Sequence, residues 1–222
     1  MEESGGMTAT ATRKGRPSPE DSRQKLADVM AAAREEFIRR GYRGVTMRGV
    51  AERACVSTRT LYNHYPDKLS LFAACLDFGA TAFPRIEVEV STSPADALHR
   101  YAVSLIRMLS EHSSLTLGML VYREGQDFPE LVAAAEANQD RHIVAPLAAY
   151  LSAVGLAEGD ARERARLFNL MALSEWQRSV LFGHPMPQGT AIERHADLVV
   201  HLFLHGASAL MERMGHQRAV AS

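Results

Sequence analysis

The chain has little of what would make it a secreted disulfide protein, a membrane protein or an enzyme. It holds two cysteines in 222 residues, Cys55 and Cys75. That is too few for a disulfide framework and agrees with a reducing compartment. No apolar run approaches the roughly 20 residues that span a bilayer, and the N-terminus lacks the apolar stretch of a signal peptide. The expectation is a soluble, cytoplasmic protein with no membrane partner. There is no Gly-x-Ser-x-Gly elbow, no phosphate-binding Gly-rich loop and no Cys-x-x-Cys pair, so nothing marks a nucleophile or a bound nucleotide. His201 and His205 stand four apart on one predicted helix and could grip a metal ion together. No carboxylate or cysteine lies at a convincing spacing beside them, and a polar seam between subunits suits them better. His142 and His195 stand alone. We therefore expect no enzyme, no metal and no cofactor.

An excess of charge is also missing, the formal net charge being −1. Divided by region, however, residues 1–70 hold 13 Lys and Arg against 9 Asp and Glu, while residues 71–222 hold 12 against 17. The first third is suited to phosphate, and the acidic remainder should face away from it. Met1 to Pro17 is small and polar without apolar periodicity, which predicts a disordered tail over 1–18. Its Arg13, Lys14 and Arg16 could serve as a minor-groove arm or simply as solubilising charge.

What is present in abundance is helical periodicity. Ser18-Pro19-Glu20-Asp21 offers a cap and a proline at the first helical position. The amphipathic stretch from Arg23 to a stop at Gly41 follows, with Leu26, Val29, Ala33 and Phe37 on one stripe. Thr46 caps a short helix with Met47, Val50, Ala51 and Ala54 on its apolar side. Ser57 caps another in which Leu61 and Tyr65 share a face and Thr58, Arg59, Thr60, Asn63 and His64 crowd the rest. Two short helices joined by a tight turn, with small Ala51 at the crossing, form a helix-turn-helix pattern, and the polar face of the second points to DNA. An ordinary helical hairpin is the alternative on these residues alone.

The flanks extend the pattern, because Tyr65-Pro66-Asp67-Lys68 ends one helix and caps the next, predicted over Lys68 to Phe83. The stretch FIRRGYRGVTMRGVAERACVSTRTLYNHYPDKLSLF, Phe37 to Phe72, resembles the DNA-binding domain of the tetracycline-repressor (TetR) family of transcriptional regulators. The Gly-Tyr, the Thr cap, the Val-Ser turn, the Leu-Tyr-x-His-Tyr run and the Lys after the break all fall in register. There are two departures: Cys55, where the family usually has glycine in the turn and a side chain at positive φ costs about 1 kcal/mol, and Gly49 inside the first short helix, which costs about 1 kcal/mol relative to alanine. By resemblance, Thr58 and Arg59 face bases, while Thr46, Tyr62, Asn63, His64 and Lys68 hold phosphates.

Further on, Pro84 to Thr92 reads as a linker. Ser93-Pro94-Ala95-Asp96 opens a helix to Ser110, Ser113 or Ser114 one to Glu124, and Phe128-Pro129-Glu130 one to Val154 that is kinked or interrupted at Pro146. Asp160 and Thr190 cap two more, ending at Gly183 and Gly215. The helix after Asp160 is apolar on two sides, so one side needs a second subunit. Leu173, Trp176, Val180 and Leu202 are the candidate seam of a homodimer, as the resemblance also implies. The resemblance further implies a cavity for a small-molecule effector, with Phe78, Tyr101, Met108, Met119, Tyr122 and Phe168 as lining candidates. Arg107, Arg123 and Glu124 are the available inward charges, and their scarcity favours a mainly apolar or aromatic ligand.

The expectation is an all-α protein of about nine helices, with a helix-turn-helix domain over 19–67 and an effector-binding and dimerisation domain over 68–222. It would bind double-stranded operator DNA, most simply as a repressor released by its effector. An effector-independent or structural DNA-binding protein, whose C-terminal part only dimerises, is the other reading.

Overall fold

The computed structural model describes residues 19–80, 83–89, 92–110, 112–156 and 159–220, with side chains for all of these except 19–22, 80, 112–116 and 207–220. The expected tail over 1–18 lies outside the described residues. Within them the chain is all helical. In order come α1 (Pro19–Gly44), α2 (Met47–Arg53), α3 (Thr58–His64), α4 (Lys68–Ala80), α5 (Pro94–Leu109), α6 (His112–Glu124) and α7 (Pro129–Gln139). A π-helical turn, Asp140–Val144, leads into α8 (Ala145–Ala153), followed by α9 (Ala161–Ala172), α10 (Ser174–Phe182) and α11 (Thr190–Val220). The π turn joins α7 to α8 without a gap, and only Leu173 parts α9 from α10. The path is thus that of about nine rods. No helix among the described residues is long and apolar enough to cross a membrane.

Local chemistry explains where most helices begin. Thr46 Oγ1 accepts the Gly49 amide at 3.1 Å, Ser57 Oγ that of Thr60 at 3.0 Å, Ser93 Oγ that of Asp96 at 3.1 Å and Asp160 Oδ1 that of Arg162 at 2.8 Å. Each satisfies an amide left over at a helix N-terminus. Gly41 breaks α1 with φ 70°, and Gly183 ends α10 in the left-handed region. One end differs from expectation. The last helix continues past Gly215 to Val220 and is interrupted instead at Gly206, since glycine inside a helix costs only about 1 kcal/mol and need not end it. The expected interruption at Pro146 takes the form of a wide turn: the backbone widens just before it, Ala145 N–H bonding five residues back to the Asp140 carbonyl. A proline ring cannot donate to the carbonyl four residues earlier, and the wide turn absorbs that loss.

Two hydrophobic cores result. One gathers Phe37, Val50, Leu61 and Phe72 of α1 to α4 with Leu117 and Leu120 of α6 and Leu131 of α7. In it Phe72 stands edge-on to Phe37, ring centroids 5.2 Å apart, and to Tyr42 at 5.8 Å. The other gathers Leu98, Leu105, Leu147, Leu151, Phe168 and Ala196 of α5, α8, α9 and α11. The first core runs across residue 68, so α6 and α7 pack directly on the N-terminal helices.

Candidate functional site

α3 commits one side chain, Leu61, to the core. Thr58, Arg59, Thr60, Tyr62, Asn63 and His64 are all exposed. A seven-residue helix that is polar on all but one side is stable only because Leu61 is held and both ends are capped. Arg59 forms no ion pair among the described residues and stands at the free N-terminal turn. Thr46 is exposed and uses its oxygen as a cap acceptor, leaving its hydroxyl proton for an outside acceptor. Ala51 is buried where α2 meets α3. The turn between them passes through Cys55 at φ 53°, the non-glycine residue at positive φ among those described. Its thiol is free and exposed. The other thiol, Cys75, is buried, and burial pushes its pKa up to about 12, so it is inert as a nucleophile.

The orientation of α2 is fixed from below by Glu36 of α1. This carboxylate is 2% exposed and accepts Arg39 at 2.6 Å, Arg40 at 2.8 Å and Arg53 of α2 at 2.7 Å. Burial raises its pKa, but the bonds and charges of these arginines outweigh burial and hold it below the usual carboxylate range. It remains ionised and ties the two helices together.

Lys68 departs from the expectation of a free phosphate ligand. Its Nζ donates to the Tyr42 carbonyl at 2.8 Å and lies 4.4 Å from the centre of the Tyr42 ring. Burial lowers its pKa, against the raising influence of Glu124 and Glu130. The Tyr42 carbonyl, just past the break at Gly41, accepts only a long bond from the Val45 amide at 3.4 Å, and the ammonium completes it. Nearby, Glu124 at the end of α6 accepts the Arg43 amide at 3.2 Å. A Cβ on Gly41 would push that carboxylate aside, and the positive φ at the break in α1 favours glycine in its own right. On the other side, Asp77 of α4 receives Asn138 at 2.9 Å, Arg141 at 2.9 Å and His142 at 3.0 Å from α7 and the π turn. His142, which the sequence leaves without a partner, thus helps fasten α4.

Between these two fastenings lies a cavity of about 320 Å³, walled by α1, α4, α5, α6, α7 and α10. Its lining is mostly apolar and includes Leu76, Met108, Leu117, Val121, Tyr122 and Trp176. Of the predicted lining residues, Met108 and Tyr122 are there, and four others are placed elsewhere. Tyr101 is 4% exposed, its hydroxyl donating to Asn169 Oδ1 at 3.3 Å. Phe168 is fully buried against Phe203. Phe78 faces a shallow groove beside Met30 and Tyr65. Met119 points away from the cavity, because Leu117, Gly118, Val121 and Tyr122 already occupy the inward side of α6. The predicted inward charges are also engaged outside: Arg107 with Glu193, Glu124 with Arg43, and Arg123 is exposed. The cation that does reach the lining is Arg34 of α1, which the sequence hides on the charged side of that helix.

The expected subunit seam is redistributed as well. Leu173 is 5% exposed and Trp176 7%; both line the cavity, and Trp176 Nε1 donates to the Leu109 carbonyl at 2.9 Å. The break at Leu173 turns these two inward. His195 Nε2 stands 3.0 Å and 3.1 Å from the carbonyls of Met171 and Ala172, occupying the acceptors at that break. Val180 and Leu202 are partly exposed. On α9, α10 and the described part of α11 the exposed large apolar side chains are Leu167, Leu170, Leu181, Phe182 and Leu198. Leu167, Leu170 and Leu181 keep to one side of the α9–α10 rod at helical spacing.

A polar second helix exposed beside a tightly capped first one defines a helix-turn-helix protein. Residues 29–75 match the sequence profile of bacterial regulatory proteins of the tetR family, and this stretch is a DNA-binding domain of that family. It is 26% identical over 196 residues to the HTH-type transcriptional repressor KstR of Mycobacterium tuberculosis, covering 86% of this chain and 84% of that one. To the HTH-type transcriptional activator FasR of Mycolicibacterium smegmatis it is 40% identical over 68 residues, 31% of this chain and 30% of that relative's length. The solved structure of a TetR transcriptional regulator from Agrobacterium tumefaciens, 25% identical, superposes with a TM-score of 0.61 over 82% of this chain and 92% of that one.

Proposed function

We propose that the chain is a homodimeric repressor that reads an operator through α3 and releases it when a small, mainly apolar effector fills the cavity. The observation that carries this reading is the position of the cavity. It lies against α4, which is separated from the cap of α3, Tyr65, by only Pro66 and Asp67, and it is flanked by the Asp77 and Glu124 fastenings. A ligand that changes the spacing of α4, α6 and α7 must change how α1 to α4 sit on them. The longer of the two alignments above, to a repressor, supports repression over activation.

On DNA, Thr58 and Arg59 are assigned to bases, and Thr46, Tyr62, Asn63 and His64 to phosphates. Lys68 keeps a structural part at Tyr42, with its remaining donors available to a phosphate. Arg59 suits a bidentate contact to guanine, so Arg59→Ala is expected to cost about 1–3 kcal/mol and to relax preference at one base pair. Competition binding with operator and random duplexes checks this, and equal losses on both would reassign Arg59 to the backbone.

The effector reading differs from an effector-independent one in a reciprocity. If effector binding weakens operator binding by some factor, operator must weaken effector binding by the same factor, a coupling of typically 1–3 kcal/mol. Titrating a ligand found by thermal shift with and without operator DNA measures it. Equal affinities in the two titrations would leave the sites uncoupled and the cavity without a regulatory part.

A further inference from the structure

We infer that the ligand of this cavity has a single anionic head, of the carboxylate class, on an apolar body, and that Arg34 receives the head. The inference rests on the effector reading above. Its starting point is the contrast between Arg34 and the other arginines in this half of α1. Arg39 and Arg40 are bound to Glu36, and Arg43 to Asp127. Arg34 forms no ion pair or hydrogen bond among the described residues, although it is only partly exposed and lines a mostly apolar cavity. Glu136, the carboxylate in the same lining, is exposed and makes no ion pair with it.

A guanidinium held at an apolar surface without a counter-ion is costly unless something completes it. The fold also makes room for it. Nη1 of Arg34 lies 2.9 Å from the point where a Cβ on Gly79 would stand, so this glycine in α4 leaves the planar group a place that alanine would take. A planar fork with parallel N–H groups matches a carboxylate in two-point contact better than it matches a neutral acceptor. The polar lining residues Asn138, Gln139 and Gln177 are neutral and cannot replace that charge. Because Arg34 is carried by α1, an anion bound there would touch the DNA-reading unit itself, not only the walls that α6, α7 and α10 supply.

The test uses the full-length protein and its single tryptophan, Trp176, which lines the cavity and reports occupancy by fluorescence. The probes are alkyl and aryl carboxylates, each paired with its primary amide, a neutral molecule of nearly the same shape. Wild type is expected to bind the carboxylate about tenfold or more tighter than the amide, the size of a charge-assisted hydrogen bond. Arg34→Gln should erase that difference by weakening the carboxylate far more than the amide, and Arg34→Lys should restore part of it. Gly79→Ala, which displaces the guanidinium without removing its charge, should reduce the difference. Equal affinity for the two probes in wild type, or a difference that survives in Arg34→Gln, overturns the anionic head but leaves the cavity as a binding site. Gly118→Leu separates the two readings. A Cβ there already meets the Trp176 ring at 3.6 Å, so leucine fills the space and should weaken acid and amide alike. Binding of no probe, or binding that Gly118→Leu leaves intact, overturns the effector reading and this inference with it.

Discussion

Phe72→Ala is expected to lower the stability of the chain by about 3–5 kcal/mol, the range for removing a buried aromatic ring from a well-packed core. Phe72 is fully buried, and its neighbours Phe37 and Tyr42 are themselves held by further ring contacts, Tyr42 lying 5.1 Å from Phe128. Such a site cannot collapse to fill the space. The loss should not stay within the helix-turn-helix, because the same core contains Leu117, Leu120 and Leu131 from α6 and α7. Chemical denaturation followed by helical signal and by Trp176 fluorescence should therefore give midpoints that fall together. A Trp176 transition left in place while part of the helical signal melts early would show that the two cores unfold as separate units. Val88→Ala, which trims an exposed side chain, is the control and should change stability by no more than about 0.5 kcal/mol.

The second large effect concerns assembly. Leu170→Asp together with Leu198→Asp is expected to convert a dimer into monomers and to abolish operator binding at concentrations where wild type saturates. Leu170 is 54% exposed and Leu198 43%, on helices that pack against each other, so in the monomer both substitutions point into water and are nearly neutral. In a twofold interface each charge would be desolvated opposite its own copy without a partner. Two heads are needed to reach half-sites about 34–36 Å apart, so a monomer loses the operator even with α3 intact. Sedimentation checks the first claim and operator titration the second. A variant that sediments as the wild-type dimer would remove this face as the interface. Leu173→Asp would be a poor test, since Leu173 lines the cavity and the change would act on folding.

The features that were legible in the sequence are those decided within four residues. Thr46, Ser57, Ser93 and Asp160 each cap the helix they were expected to cap, because a side-chain oxygen reaching an amide two or three residues on is local chemistry. The exposure of Thr58, Arg59, Tyr62, Asn63 and His64 follows from the same short range. The cavity was legible only in part. Tyr101, Met108 and Phe168 are all apolar-stripe residues, and only the neighbours decide that Met108 meets space while the other two meet solid core. For Leu173 and Trp176, a helix apolar on two sides gives no sign of which side turns inward until the break at Leu173 is known. Arg34 could not be found from its own helix, because what distinguishes it is a missing side chain at Gly79, 45 positions further along.

The π-helical turn bears on how such a chain can diverge. Leu131, Ala135, Ile143, Leu147 and Leu151 keep a spacing in multiples of four through α7 and α8, and in a plain α-helix each step of four drifts about 40° around the axis. The wide turn takes back part of that drift, which lets α7 face the first core and the cavity while α8 faces the second. Such a turn holds one residue more than an α-helix needs. Loss of a single codon between 140 and 144 would rotate α8 by about 100° relative to α7, exchanging buried for exposed side chains at the cost of one residue. The two cores therefore constrain the residue count of this one rod independently of which apolar side chains it carries.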